Sequence, residues 1–153
     1  AFDLGDDVLL AHLRDEDPDA SAGAQNEALT LFRDALAMPG IQDLLTRGDS
    51  SAEDLEVRNE RNFHESVAGE DGDALWTGAM DRVVIRRKDG RIVSADIIDH
   101  KTDDPAGGLE PLIEQYRSQM ESYRAVLAHQ LDLDPDCIRC RLAFLRVGEV
   151  RDV

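Results

Sequence analysis

The sequence predicts an α/β fold: a small mixed β-sheet flanked by helices, with a helical segment at the amino-terminal end. Three observations predict it. Apolar residues recur at helical spacing through residues 1–50. From 55 to 102 the period shortens to two, around the turn signal "KDG". A long amphipathic stretch, 109–130, then leads into the apolar run 137–147, which is a strand reached by a helical crossover.

The elements follow in order. "DDVLLAHLRDE" (6–16) gathers Val8, Leu9, Leu10 and Leu13 near one helix face, with acids in the first turn where the helix dipole favours them. "DPDASAGAQ" (17–25) reads as a loop. "NEALTLFRDALAM" (26–38) repeats Leu29, Phe32 and Leu36 at helical spacing, Pro39-Gly40 breaks it, and 41–48 is a further short helix ending at Gly48. "LEVRNERNF" (55–63) alternates as a strand, and 64–73 is an acidic loop. Residues 74–87 and 91–102 form two strands joined at "KDG" (88–90), and 103–108 is a loop. The 109–130 helix buries an arc of Leu109, Leu112, Tyr116, Tyr123 and Leu127, with Gln119 at its edge. Residues 131–136 turn into the last strand, "CIRCRLAFLRV" (137–147).

The 153 residues suffice for one domain with a core, organised as a helical segment (1–50) and an αβ core (55–147). The chain has no initiator Met and starts inside a helix-like stretch, so it reads as part of a longer protein. A net charge of −16 argues against a broad basic surface for nucleic acid. It leaves room for a nucleic-acid enzyme whose positive charge comes from metal ions. Cys137 and Cys140 are half a zinc site at most and read as strand residues in a reducing compartment. No apolar stretch approaches membrane-spanning length, no signal peptide is visible, and no phosphate-binding G-x-x-x-x-G-K-[ST] loop occurs.

The chemistry concentrates in "IIDHKT" (97–102) and "GAMD" (78–81). Alternation puts Asp99 and Lys101 on one face of their strand and His100 on the other. Whether Asp81 joins them depends on the hairpin. A two-residue loop, Asp89-Gly90, sends the acids to opposite faces; a three-residue loop, or one bulge, brings both acids and Lys101 to one face. Two neighbouring carboxylates repel, and a divalent ion relieves the repulsion; oxygen ligands favour Mg²⁺, Mn²⁺ or Ca²⁺. An adjacent ammonium competes with a stored cation but serves phosphodiester hydrolysis, where it orients water or stabilises developing charge. The plain alternative is an Asp99–Lys101 salt bridge beside an unrelated Asp81.

Gly78 and Asp81 in "GAMD", Asp99 and Lys101 in "IIDHKT", and Gln119 and Tyr123 in "QMESY" (119–123) together resemble the PD-(D/E)xK nuclease superfamily. More narrowly, over about residues 55–147, the chain resembles the nuclease domain of RecB- and AddA-type helicase–nucleases. The resemblance implies a restriction-endonuclease-like core and Mg²⁺- or Mn²⁺-dependent, exonuclease-type cleavage of DNA in double-strand-break repair and recombination. It implies Asp81 and Asp99 as metal ligands, Lys101 as the catalytic lysine, and Gln119 and Tyr123 lining the site. The His100 carbonyl is a further candidate ligand, its side chain a packing or partner residue.

His12 is a candidate helical metal ligand, although Gly5 lies seven residues before it and the family's G-x-x-x-H spacing is not reproduced. Glu60 reads as a solvated strand residue, with an acidic ligand as the alternative. Asp103 and Asp104 read as turn residues. The implied partners are DNA and a helicase motor in the same polypeptide or complex, with no membrane, in a bacterial cytoplasm near the nucleoid. The competing readings are a non-cleaving nuclease-fold module that binds DNA ends or protein, and an acidic interaction domain unrelated to nucleic acid.

Overall fold

The computed structural model describes residues 5–45, 54–67 and 74–153, side chains at 65–67 and 74–76 excepted. It is a mixed α/β protein: among the described residues, four helices surround a five-stranded sheet ordered β1-β2-β3-β4-β5. The strands are β1 (Asp54–Val67), β2 (Ala74–Lys88), β3 (Arg91–Lys101), β4 (Ile138–Phe144) and β5 (Glu149–Asp152). The helices are α1 (Asp6–Glu16), α2 (Ala22–Ala37), α3 (Pro39–Leu45) and α4 (Leu109–Leu131). Of the described strand pairs, β3 and β4 alone run parallel, and α4 makes the crossover between them.

Local chemistry sets several boundaries differently from the sequence pattern. The expected loop 17–25 closes early, because Ser21 accepts a hydrogen bond from Ala24 N–H and so caps α2 at Ala22. Pro39 opens α3 rather than only breaking the preceding helix; its missing N–H costs nothing at a first-turn position. The expected end of that helix, at Gly48, lies outside the described residues, as does 68–73 of the expected acidic loop. Residues 64–67 of that loop are strand, paired with β2. The expected last strand, 137–147, is shorter: it stops at Phe144, turns at Gly148 (φ +67) and returns as β5, an antiparallel edge that the sequence pattern missed.

Two apolar layers cover the sheet. On one side α4 contributes Ile113, Met120 and Leu127 against Ile85, Ile97 and Leu142; on the other, Ile41 and Leu44 of α3 meet Val84, Ile98 and Ala143. β3 is therefore buried on both faces, and residues 95–99 form one continuous buried run. Burial of this kind stabilises by about 25 cal/mol per Å² of apolar surface and fixes the register of the central strands. The helix α4 is seated by Ile113, Met120, Val126 and Ala128 as well as Tyr123 and Leu127. Leu109, Leu112 and Tyr116 are only partly buried at the edge of that layer.

Strand phase is what positions the site. The hairpin turn has two residues, Asp89 (φ +51) and Gly90 (φ +75), with Lys88 paired to Arg91. By itself this would separate the two acids. A bulge intervenes: Arg87 pairs with Ile92 and Arg86 with Ser94, leaving Val93 as the extra residue of β3. The register then runs to Arg82 opposite Ile98, where the ladder ends next to Asp81 and Asp99.

β1 and β2 also change faces together. Val84 packs on the α3 side and Val83 on the α4 side, so strict alternation would put Met80 on the α3 side; Met80 instead lies in the α4 layer. Likewise Leu55 and Val57 of β1 pack on the α3 side, and Phe63 on the α4 side. The reversal falls between the pairs Asn59–Arg82 and Arg61–Met80, where Glu60 adopts φ +50. Asp81 sits at that pivot.

Candidate functional site

The site lies where the β2–β3 ladder ends. Past Ile98 the backbone N–H of His100 has no strand partner on β2, and a buried donor must find one. Asp81 Oδ2 accepts from it at 2.8 Å. The His100 imidazole Nδ1 lies 3.6 Å from the same oxygen. Its ring therefore does not turn away from both acids, as alternation predicts; the pivot at Asp81 carries that carboxylate to the sheet edge within the ring's reach. In a strand, N–H and C=O of one residue leave by the same edge, so the His100 carbonyl also faces the Asp81 side.

Asp99 and Lys101 follow the expected alternation. Both lie on the α4 side, with Lys101 Nζ 2.5 Å from Asp99 Oδ2. Both side chains are largely buried, 13% and 5% exposed, so this is a close ion pair shielded from solvent. From α4, Gln119 Oε1 meets Lys101 Nζ at 3.4 Å, and Gln119 Nε2 donates to Tyr123 Oη at 2.8 Å. Tyr123 packs edge-on against Phe63, ring centres 5.6 Å apart. Gly78 lets that happen. A Cβ there would stand 2.9 Å from two carbons of the Phe63 ring, closer than side chains tolerate.

The carboxyls are tuned in opposite directions. Burial pushes Asp99 up, and the neighbouring Lys101 ammonium only partly offsets it, with the Asp81 charge adding to the rise. Burial also pushes Asp81 upward, but the His100 imidazole and backbone N–H together outweigh it and hold that carboxyl below its ordinary value. Each acid acts on a shared set of charges, so Asp81, Asp99, His100 and Lys101 are one electrostatic unit.

The donor set fits a hard divalent cation. Asp81, Asp99 and the His100 carbonyl supply oxygens only, and Asp99 Oδ2 is buried beside the Lys101 ammonium. Among the described residues no group of three or more His, Cys, Asp or Glu side chains lies close enough together to hold a metal ion. His12 instead lines an apolar groove between α1 and α2 with Leu9, Leu13 and Phe32. Glu60 is exposed on β1, beside the pivot.

Tyr116, which helical periodicity assigns to the buried arc, belongs to the site instead. Its ring lies 3.7 Å from Lys101 Nζ, and its hydroxyl donates to both carboxylate oxygens of Asp103 at 3.0 Å. Asp103 is thus an anchor for Tyr116 rather than only a turn residue. Tyr116 precedes Gln119 by three positions on the helix, a spacing that could have signalled a shared face. Asp104 does act as a turn residue, accepting from Ala106 N–H. Asp96, a further acid of β3 and only 3% exposed, is structural: its Oδ2 takes both Arg86 and Arg141 at 2.7 Å.

Compared with protein-family models and with curated proteins, the chain matches none. Among the described residues, no helix is long and apolar enough to cross a membrane.

Proposed function

We propose that the chain is a metal-dependent deoxyribonuclease domain with a restriction-endonuclease-like core, of the kind carried by RecB- and AddA-type helicase–nucleases. The observation that supports it most is the meeting of Lys101 with Asp99 at 2.5 Å, beside Asp81 held on His100, at one strand end. An isolated surface ion pair needs neither the bulge at Val93 nor the burial of Asp99.

Asp81, Asp99 and the His100 carbonyl would hold Mg²⁺ or Mn²⁺. When bound, the ion polarises the phosphoryl group and lowers the pKa of water for attack on phosphorus. The residues of the chain do the rest. Asp99 would serve as a ligand in its ionised form, which the cation's charge favours. Lys101, beside Asp99, would orient the attacking water and stabilise charge developing on the phosphoryl oxygens. Gln119, braced by Tyr123, steadies Lys101 and the scissile strand. The −16 charge fits a domain to which DNA is delivered by a basic motor in the same polypeptide or complex, in a bacterial cytoplasm.

The test is degradation of single-stranded DNA with Mg²⁺ or Mn²⁺. Lys101→Ala is expected to lower kcat by at least about 100-fold with Mn²⁺ binding retained. Binding of DNA with no cleavage by the unmutated protein, across both metals, selects the non-cleaving module instead.

A further inference from the structure

We infer that Tyr116, fixed in place by Asp103, is the positioning residue for Lys101; the inference rests on the nuclease reading. A lysine carries a flexible four-carbon stem and a point charge, and ordering it costs rotamer freedom. Lys101 must therefore be held by its surroundings. Asp99 holds it only while that carboxylate is not engaged by a metal ion. The Gln119 contact, at 3.4 Å, is long. What remains when Asp99 turns away is the Tyr116 ring, 3.7 Å from Nζ. A π-face attracts an ammonium without consuming a carboxylate.

The ring is itself anchored at both ends. Its Cα belongs to α4, and its hydroxyl donates to Asp103, two residues beyond Lys101 in the loop that leaves β3. Lys101, Asp103 and Tyr116 thus close a loop of contacts on which the ammonium rests. Donation to a carboxylate makes the phenol more electron-rich and strengthens its hold on a cation. Nearby, Leu145 N–H donates to the Lys101 carbonyl at 2.9 Å, so the lysine backbone is pinned as well. Tyr123 plays a different part, accepting from Gln119 and packing on Phe63.

The chain contains two lysines, Lys88 at the exposed hairpin end and Lys101. Lysine labelled with ¹³C and ¹⁵N therefore yields two sets of side-chain signals, one an internal reference. In the metal-free full chain, the Lys101 ε-methylene resonances are expected upfield of those of Lys88, shifted by the Tyr116 ring current, with cross-relaxation to the Tyr116 ring protons. Tyr116→Phe keeps the ring but loses the Asp103 anchor and is expected to keep only part of the shift; Tyr116→Leu is expected to abolish it. In single-stranded DNA cleavage with Mn²⁺, Tyr116→Leu is expected to lower kcat about tenfold with KM unchanged, and Tyr116→Phe to restore only part of it. The inference is overturned by Lys101 resonances that coincide with those of Lys88, by missing cross-relaxation in the unmutated protein, or by a Tyr116→Leu enzyme with unchanged kcat. The unmutated resonances need no variant to fold. Should no DNA be cleaved at all, the nuclease reading falls while the resonances still decide whether Tyr116 holds Lys101.

Discussion

Asp81 Oδ2 accepts a 2.8 Å hydrogen bond from the backbone N–H of His100, across the end of the β2–β3 ladder. A side chain thus replaces the strand carbonyl that the ladder no longer offers. The bond satisfies a buried donor and orients a carboxylate beside Asp99 in one stroke. Asp81→Asn keeps an acceptor for that N–H and removes the charge. The variant is expected to melt within a few degrees of the unmutated protein, to bind Mn²⁺ at least about tenfold more weakly, and to lose cleavage. Calorimetric titration with Mn²⁺ and a thermal melt separate the two effects.

The raised pKa of Asp99 has a pH signature. Its folded pKa lies above the ordinary 3.8, chiefly through burial. Such a group binds its proton more tightly in the folded chain. It supports folding below the unfolded value and loses that contribution as pH rises through the folded value. Asp99→Asn lacks this dependence. In chelator, the stability of the unmutated protein relative to Asp99→Asn is therefore expected to fall as pH rises above 3.8. Urea denaturation of both proteins over pH measures this. Mn²⁺ needs the ionised carboxyl, so its stabilising effect is expected to grow with pH over the same range.

Gly78 is held to glycine by the Phe63 ring. Its added Cβ would stand 2.9 Å from two ring carbons and 3.5 Å from Tyr123. Gly78→Ala is expected to cost about 1–3 kcal/mol in urea denaturation, the usual range for overpacking. Because Phe63 braces Tyr123, and Tyr123 braces Gln119, cleavage should also slow at temperatures where the variant is folded.

Asp96 provides the opposite case, an acid whose work is structural. It is 4% exposed at its side chain and neutralises two arginines, Arg86 and Arg141. Asp96→Ala leaves two partly buried guanidinium groups without their shared counter-charge. The expected cost is about 3 kcal/mol in urea denaturation. Mn²⁺ affinity, read by calorimetric titration below the melting transition, should not change.

Much of the architecture is legible in local pattern. Helical spacing in "DDVLLAHLRDE" and the long 109–130 stretch reports α1 and α4, because one face of each is apolar enough to pack. Period-two alternation and the glycine in "KDG" report β2 and β3, since a tight turn needs positive φ. β5 escaped notice because it is four residues long and three of them are charged, and only its pairing with β4 makes it a strand. The strand character of 64–67 was hidden for the same reason: its residues are mostly polar, and their partner, β2, supplies the order.

The sequence by itself marked out the candidate residues: an acid and a lysine spaced to share one strand face, a glycine and an acid one strand before, and a glutamine and a tyrosine one helical turn apart. Those relations are local, dictated by periods of two and 3.6. Tertiary structure alone decided that they meet. The extra residue at Val93 set the register that ends the ladder at Arg82 and Ile98, next to both acids, the pivot at Glu60 and Asp81 turned a carboxylate toward His100, and the packing of α4 laid the Tyr116 ring against Lys101. A bulge and a change of strand phase are answers to burial across the whole sheet, and no window of sequence contains the partner strands that impose them.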